Sequence, residues 1–350
     1  MSATPLPPWL GAPFEDAWRT AHGHALLLHG PRGVGQFELA LALATAWLCE
    51  AEPKRRPGGR ACGECVACRL VAARTHPDLA VLLPEALQAS LGWSDEDAAG
   101  EAEGGKAGRK PSREIRVEAI RAVIAFAQQT ATRGGFKVAV LYPAERVNAT
   151  AANMLLKTLE EPPGRMRFVL ASAAPQRLLP TVRSRCQAIA VAAPPAPLAE
   201  AWLAEQGIGE AGVLLAAAGG HPLEVAERLS LGLTADAWRR LPREVRSGES
   251  ATLAGWPLPL AIDALQKLCH DAVAAAVGAA PRYFPAATVP GDGDLAALTA
   301  YGQTLRQAAR HAEHPLNAAL AAESLVQQLR RAWRPQPAAV AGGAFDTLAR

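Results

Sequence analysis

The chain has 350 residues, half of them hydrophobic, enough to give each of two or three domains a buried core. Its net charge of +3 is carried without any block of five or six like charges, which excludes a basic nucleic-acid-binding arm and leaves charge alone naming no ligand. The start, MSATPLPPWLGAPFEDAW, lacks a cationic stretch followed by an apolar run, and the Ala-rich DAVAAAVGAA from Asp271 is too short to span a bilayer, so a cytoplasmic location with no membrane partner is expected.

The first predicted strand lies in HALLLHG, residues 24–30, and is followed by FELALALATAWLCE, which has the length and small apolar residues of a buried helix. Strand, glycine turn and helix is the setting of the phosphate-cradling loop G-x-x-x-x-G-K-[ST], and Gly30, Gly33 and Gly35 supply its backbone half. Gln36 and Phe37 stand where the lysine and the Mg²⁺-binding hydroxyl belong. Losing a buried charge-assisted contact costs roughly 1.5–3 kcal/mol per hydrogen bond, and losing the metal oxygen removes the ion that neutralises a phosphoryl-transfer transition state. Hydrolysis is therefore not expected here; passive nucleotide binding is left open, as is a plain glycine turn with no ligand.

Four of the six cysteines, Cys49, Cys62, Cys65 and Cys68, fall in CEAEPKRRPGGRACGECVAC, with C-x-x-C spacings that suit four thiolates around a tetrahedral Zn²⁺. A redox C-x-x-C pair and an iron–sulfur site are the other readings of this spacing. Cys186 and Cys269 lie in apolar segments and read as ordinary buried residues. THPDLAVLLPE then predicts a second strand over 79–83, and the aperiodic Gly-, Ala- and charge-rich stretch 85–113 reads as a flexible surface insertion without a role in function.

IRVEAIRAVIAFAQQT, 115–130, places Ile115, Ala119, Ile120, Val123 and Ala127 on one helical face. Strands follow at 136–142, at 167–172 and after Cys186, the first two separated by the helix of TAANMLLKTLEEPP, which Pro162 and Pro163 stop. Apolar strands alternating with helices imply an α/β fold, a parallel sheet covered on both faces. At the end of the third strand, where a P-loop hydrolase carries Asp-Glu, the chain has Tyr142 and Pro143; Glu145 lies three residues past the metal position and reads as a solvated helix-start residue. The arginines of LLPTVRSRC read either as a surface ion-pair site or as an arginine finger for phosphates held by a neighbouring subunit. From about residue 191 helices take over, and Pro and Gly between 241 and 258 suggest a further boundary.

Taken in order, GPRGVGQFE, the four cysteines, THPDL, AANMLLKTLEEPP, LLPTVRSRC and HPLNAALAAESLVQQL resemble the bacterial DNA polymerase III clamp-loader family across almost the whole chain. The resemblance implies an AAA+ module with a zinc-binding insertion over 1–190 (zinc module 49–68), a small helical lid over 191–242, an all-α collar for ring assembly over 243–335, and a tail over 336–350. In the family the Ser-Arg-Cys motif, here Ser184, Arg185 and Cys186, presents its arginine to ATP bound next door, which makes Arg185 the residue expected to act in trans. The lid's sensor arginine, expected after the GGHP turn, is missing, since Leu223 and Glu224 follow Pro222. The implied role is a non-hydrolysing stator in the DNA polymerase III holoenzyme, with the gamma/tau and delta subunits, the sliding clamp and, through the complex, primed DNA as partners. Structural Zn²⁺ is the implied cofactor. Two rivals stay open: an active gamma/tau-like P-loop ATPase, and a zinc-dependent DNA-binding protein. Against the second, the cysteine loop clusters only Lys54, Arg55, Arg56 and Arg60 and has no aromatic to stack a base.

Overall fold

The computed structural model describes residues 6–21, 23–93, 111–312 and 317–333. Two compact units divide between Leu198 and Ala199. In the first, strands β1 (Ala25–His29), β2 (Leu79–Leu82), β3 (Lys137–Leu141), β4 (Met166–Ser172) and β5 (Gln187–Ala190) form one sheet in the order β2-β3-β4-β1-β5. Every pairing is parallel, with Leu27 opposite both Leu170 and Ala188. Parallel strands are covered on both faces, which is why KVAVL of β3 is buried at every position while the edge strand β5 leaves Ala188 and Ala190 exposed.

The helices of this unit are α1 (Gly11–Thr20), α2 (Gln36–Leu48), α3 (Val66–Ala72), α4 (Glu85–Gln88), α5 (Val117–Gln128), α6 (Ala149–Glu160) and α7 (Pro180–Arg183). Helix α5 buries Ile120, Val123 and Ala127, as its pattern predicts. Ile115 does not join it: its N–H donates to Arg146 O at 3.0 Å in a parallel bridge, and the extended Arg116 starts the helix one residue later. Helix α6 begins at Asn148, whose Oδ1 accepts the Ala151 N–H at 2.9 Å, and ends before Pro162, which disfavours helical backbone at the residue ahead of it. Residues 94–110 of the expected insertion lie outside the described residues; its start forms α4, and Glu85 accepts the Ser112 N–H at 2.9 Å, so the segment's two ends are tied together.

The second unit is all helical among the described residues. Helix α8 (Ala196–Glu205) crosses into it, followed by α9 (Ala211–Ala217), α10 (Pro222–Ser230), α11 (Ala235–Ser247), α12 (Ala251–Ala254), α13 (Leu258–Ala276), α14 (Leu295–His311) and α15 (Ala318–Trp333). The boundary expected between 242 and 243 falls inside α11. Pro242 costs that helix a hydrogen bond, yet Trp238, Leu241 and Val245 share its buried stripe, and their burial outweighs the proline. The helix ends at Gly248, left-handed at φ 89°. One continuous core runs from Ala199 to Trp333, with Trp238 stacked on Phe284 at a centroid distance of 4.2 Å. Residues 314–316 of the HPLNAALAAESLVQQL stretch and the tail 336–350 lie outside the described residues.

The topology sorts the candidate residues by sheet edge. The carboxyl ends of β1, β3 and β4 carry the 30–35 loop, Tyr142 and Ser172, the crevice in which open α/β sheets bind ligands. Ser184, Arg185 and Cys186 lead into the amino end of β5, at the opposite edge.

Candidate functional site

The loop after β1 keeps the shape of a phosphate cradle. A Cβ on Gly30 would fall 2.0 Å from Val191 O, so only glycine lets the loop leave β1 alongside the end of β5. Gly35, the N-cap of α2, is left-handed at φ 108°, and a Cβ there would also meet Leu10 Cδ1 at 2.6 Å; Gly33 is left-handed as well. The Trp9 indole N–H donates to Val34 O at 2.8 Å and pins the loop from the N-terminal side.

Inside that cradle the side chains turn back onto the protein. Gln36 is buried at 2% exposure, and its Nε2 donates to Gly30 O at 2.7 Å and Pro31 O at 2.6 Å. Both amide hydrogens are spent on the loop's own carbonyls, where a lysine would direct its charge at phosphates. Phe37 stacks on Tyr142, with centroids 5.1 Å apart and planes 27° from parallel. The positions that would hold the Mg²⁺ hydroxyl and the metal-binding carboxylate thus form one aromatic contact. Glu145 is half-buried rather than solvated as expected: its Oε1 accepts the Ala173 N–H at 3.2 Å just past β4, and its Oε2 is buried without a hydrogen-bond partner among the described residues. The physical reason is the single-turn 3₁₀ helix at Ala144–Arg146, which aims Glu145 back over the sheet end.

The four cysteines come together. Cys49 follows α2, Cys65 caps α3, and all four Sγ atoms lie within 4.8 Å of one another, with Cys49–Cys65 at 3.9 Å and Cys62–Cys68 at 4.0 Å. Thiolates about 2.3 Å from a tetrahedral ion sit about 3.8 Å apart, so the donor set fits a closed four-sulfur metal centre. Backbone N–H groups of Cys62, Cys65 and Cys68 point at Cys49, Cys62 and Cys65 sulfurs at 3.3–3.4 Å. For the Cys62 thiol, burial opposes ionisation, but hydrogen bonds from the Cys65 and Glu64 backbone outweigh it and bring its pKa down to about 6. The surrounding cations are committed within the chain: Lys54 to Glu52 at 2.7 Å, Arg55 to Glu64 at 2.8 Å, Arg60 to Glu15 at 3.8 Å, and Arg56 over the Trp18 ring at 5.3 Å.

Arg185 sits in the turn between α7 and β5. Its Nη1 donates to Thr181 O at 2.8 Å and Ser184 Oγ at 3.4 Å, its Nη2 to the Glu160 carboxylate at the end of α6, and its Nε is buried without a partner among the described residues. Arg183 is exposed and, with Ser184, lines an open cavity of about 500 Å³ against Leu27, His29 and Ala188 on the sheet face. Cys186 is half-buried, packed against the sheet core and not fully buried as expected, and burial pushes its thiol up to about 12.

Two features escaped sequence reasoning. Asp78 of THPDL, 1% exposed, accepts the Thr132 and Arg133 N–H groups at 2.8 and 3.0 Å and faces Lys137 Nζ at 3.5 Å, which makes it the anchor between the start of β3 and the turn before it. A polar residue opening an apolar strand was its only signal. Just after the GGHP turn, Arg228 on α10 bonds Glu224 at 2.8 Å and Asp263 on α13 at 2.5 Å, and Lys267 bonds Asp263 at 2.6 Å.

Residues 15–195 match the family model described as DNA polymerase III, delta subunit. The delta' subunit of DNA polymerase III from Pseudomonas aeruginosa is 43% identical over 227 residues, 63% of this chain and 60% of the relative. The delta' subunit from Escherichia coli is 36% identical over 214 residues, 60% of this chain and 56% of the relative, so the chain spans less than two thirds of the curated relatives it matches. A solved DNA polymerase III gamma-subunit-related protein from Thermotoga maritima has the same fold, with TM-score 0.51 and 17% identity over 92% of this chain and 99% of that one. Among the described residues no helix is long and apolar enough to cross a membrane.

Proposed function

This chain belongs to the DNA polymerase III delta-subunit family, and we propose that it serves there as the delta-prime, non-hydrolysing stator of the clamp loader. The observation that carries this reading is the filled phosphate site: Gln36 bonded to the loop carbonyls and Phe37 stacked on Tyr142, where lysine, hydroxyl and carboxylate would act. In this reading the chain works in the cytoplasm with gamma/tau ATPase subunits and the delta subunit, and helps place the sliding clamp on primed DNA. The cysteine centre holds a structural Zn²⁺ that fixes the 49–68 loop and supplies no chemistry.

Arg185 acts in trans. It stands at the amino edge of the sheet and the chain's own loop at the carboxyl edge, roughly 13–17 Å apart along strands of four or five residues at ~3.3 Å per residue, too far for one guanidinium to serve that loop. Presented to a neighbour's ATP, it would stabilise the charge that develops on the transferred phosphoryl group. The test is reconstitution with the ATPase and delta subunits, clamp and primed DNA. Arg185→Ala should leave ring assembly intact and lower stimulated hydrolysis at the site it serves by roughly 10²-fold or more. An unchanged rate refutes the finger, and ATP turnover by the isolated chain refutes the stator.

A further inference from the structure

We propose that Glu160 is a positioning residue for Arg185: it holds the guanidinium against this chain and offsets its charge until a neighbour's anionic ligand competes for it. The inference rests on the trans role of Arg185. Both residues lie at the same sheet edge, Glu160 as the last residue of α6 and Arg185 in the turn after α7, 25 positions later. Their pairing ties together AANMLLKTLEEPP and LLPTVRSRC, the two stretches of sequence most particular to this chain's resemblance.

Three features suit this contact to hold the guanidinium and then release it. Glu160 ends its helix, where the macrodipole is negative and a carboxylate is disfavoured, so the position gains only when a cation covers it. The parked guanidinium is incompletely satisfied: Nη1 and Nη2 have acceptors, while Nε is buried with none among the described residues, and a second anionic oxygen would complete its set of partners. The pair is also open to solvent, 29% exposed on the arginine and 51% on the glutamate, and such pairs are weak enough to exchange partners. Arg183, two residues earlier, faces the cavity and not Glu160, so the restraint is particular to Arg185.

The charge of Glu160, more than its shape, sets how strongly Arg185 attracts phosphate. Glu160→Gln keeps an acceptor oxygen and removes the charge. In the reconstituted complex with clamp and primed DNA, the expected result is a two- to five-fold lower KM for ATP with kcat little changed, about the range an exposed ion pair commands. In an Arg185→Ala background the same substitution should change nothing. A helix-end role alone would shift the melting temperature of the isolated chain and leave KM in place. Equal KM shifts in both backgrounds, or none in either while Arg185→Ala still lowers the rate, would overturn the role of Glu160 and leave the finger standing. If Arg185→Ala itself is silent, finger and restraint fall together.

Discussion

Replacing Gln36 by lysine restores the charge that a working phosphate loop requires, and the geometry argues that it should harm this protein and not revive it. Gln36 donates twice, at 2.7 and 2.6 Å, to carbonyls of Gly30 and Pro31, from a side chain only 2% exposed. Two buried neutral hydrogen bonds at roughly 0.5–1.5 kcal/mol each put about 1–3 kcal/mol on the amide. A lysine ammonium can still reach one carbonyl, but it lies in the first turn of α2, at the positive end of the helix dipole, which costs a further ~0.3–1 kcal/mol. No hydrolysis is expected from the variant, because Phe37 still stacks on Tyr142 where a working loop would carry a metal-binding hydroxyl and carboxylate. The measurement is urea unfolding of wild type and Gln36→Lys, paired with ATP turnover of each. A lysine variant as stable as wild type would show that the amide closes nothing. Turnover from the single substitution would show that the aromatic pair does not block the metal, and the stator reading would lose its main support.

Asp78→Ala should destabilise by about 3–5 kcal/mol, since it strands the Lys137 ammonium, whose side chain is 6% exposed, and the two N–H groups it caps. Burial works against the Asp78 charge, but those N–H groups and Lys137 outweigh it and hold its carboxyl below the usual range. Because the folded value is depressed, the stabilisation is full above the unfolded carboxyl pKa of about 4 and is lost as pH falls through the lower folded one; in denaturant titrations the gap between wild type and Asp78→Ala should be constant near neutral pH and narrow as pH falls below about 4. For the cysteine centre, metal analysis should find one zinc per chain, and a chelator or Cys65→Ser should release it, lower the melting temperature and expose the 49–68 loop to protease. A full complement of zinc in Cys65→Ser would remove that sulfur from the donor set.

What the sequence determined by itself is what short-range chemistry dictates. Apolar runs bounded by glycine and proline made β1, β3 and β4 legible, and the C-x-x-C spacing foretold a cluster whose successive donors, Cys62, Cys65 and Cys68, stand three residues apart, with Cys49 the one drawn from further away. The glycines at 30, 33 and 35 announced a backbone shape that later side chains did not alter. Pro242 misled because a proline speaks for local backbone preference, while the stripe of Trp238, Leu241 and Val245 belongs to a core assembled from the whole second unit.

Only the tertiary structure decided what occupies the sites. That Gln36 bends back on its loop, that Phe37 meets Tyr142, that Asp78 anchors a turn 54 residues away, and that Arg185 rests on Glu160 all depend on which strands lie side by side. Sheet order brings distant residues to one edge and separates near ones, and no local period encodes it. The sequence showed which groups stand where a P-loop hydrolase would carry its lysine, hydroxyl and carboxylate; the parallel order β2-β3-β4-β1-β5 placed Gln36, Phe37 and Tyr142 at one end of the sheet and Arg185 at the other.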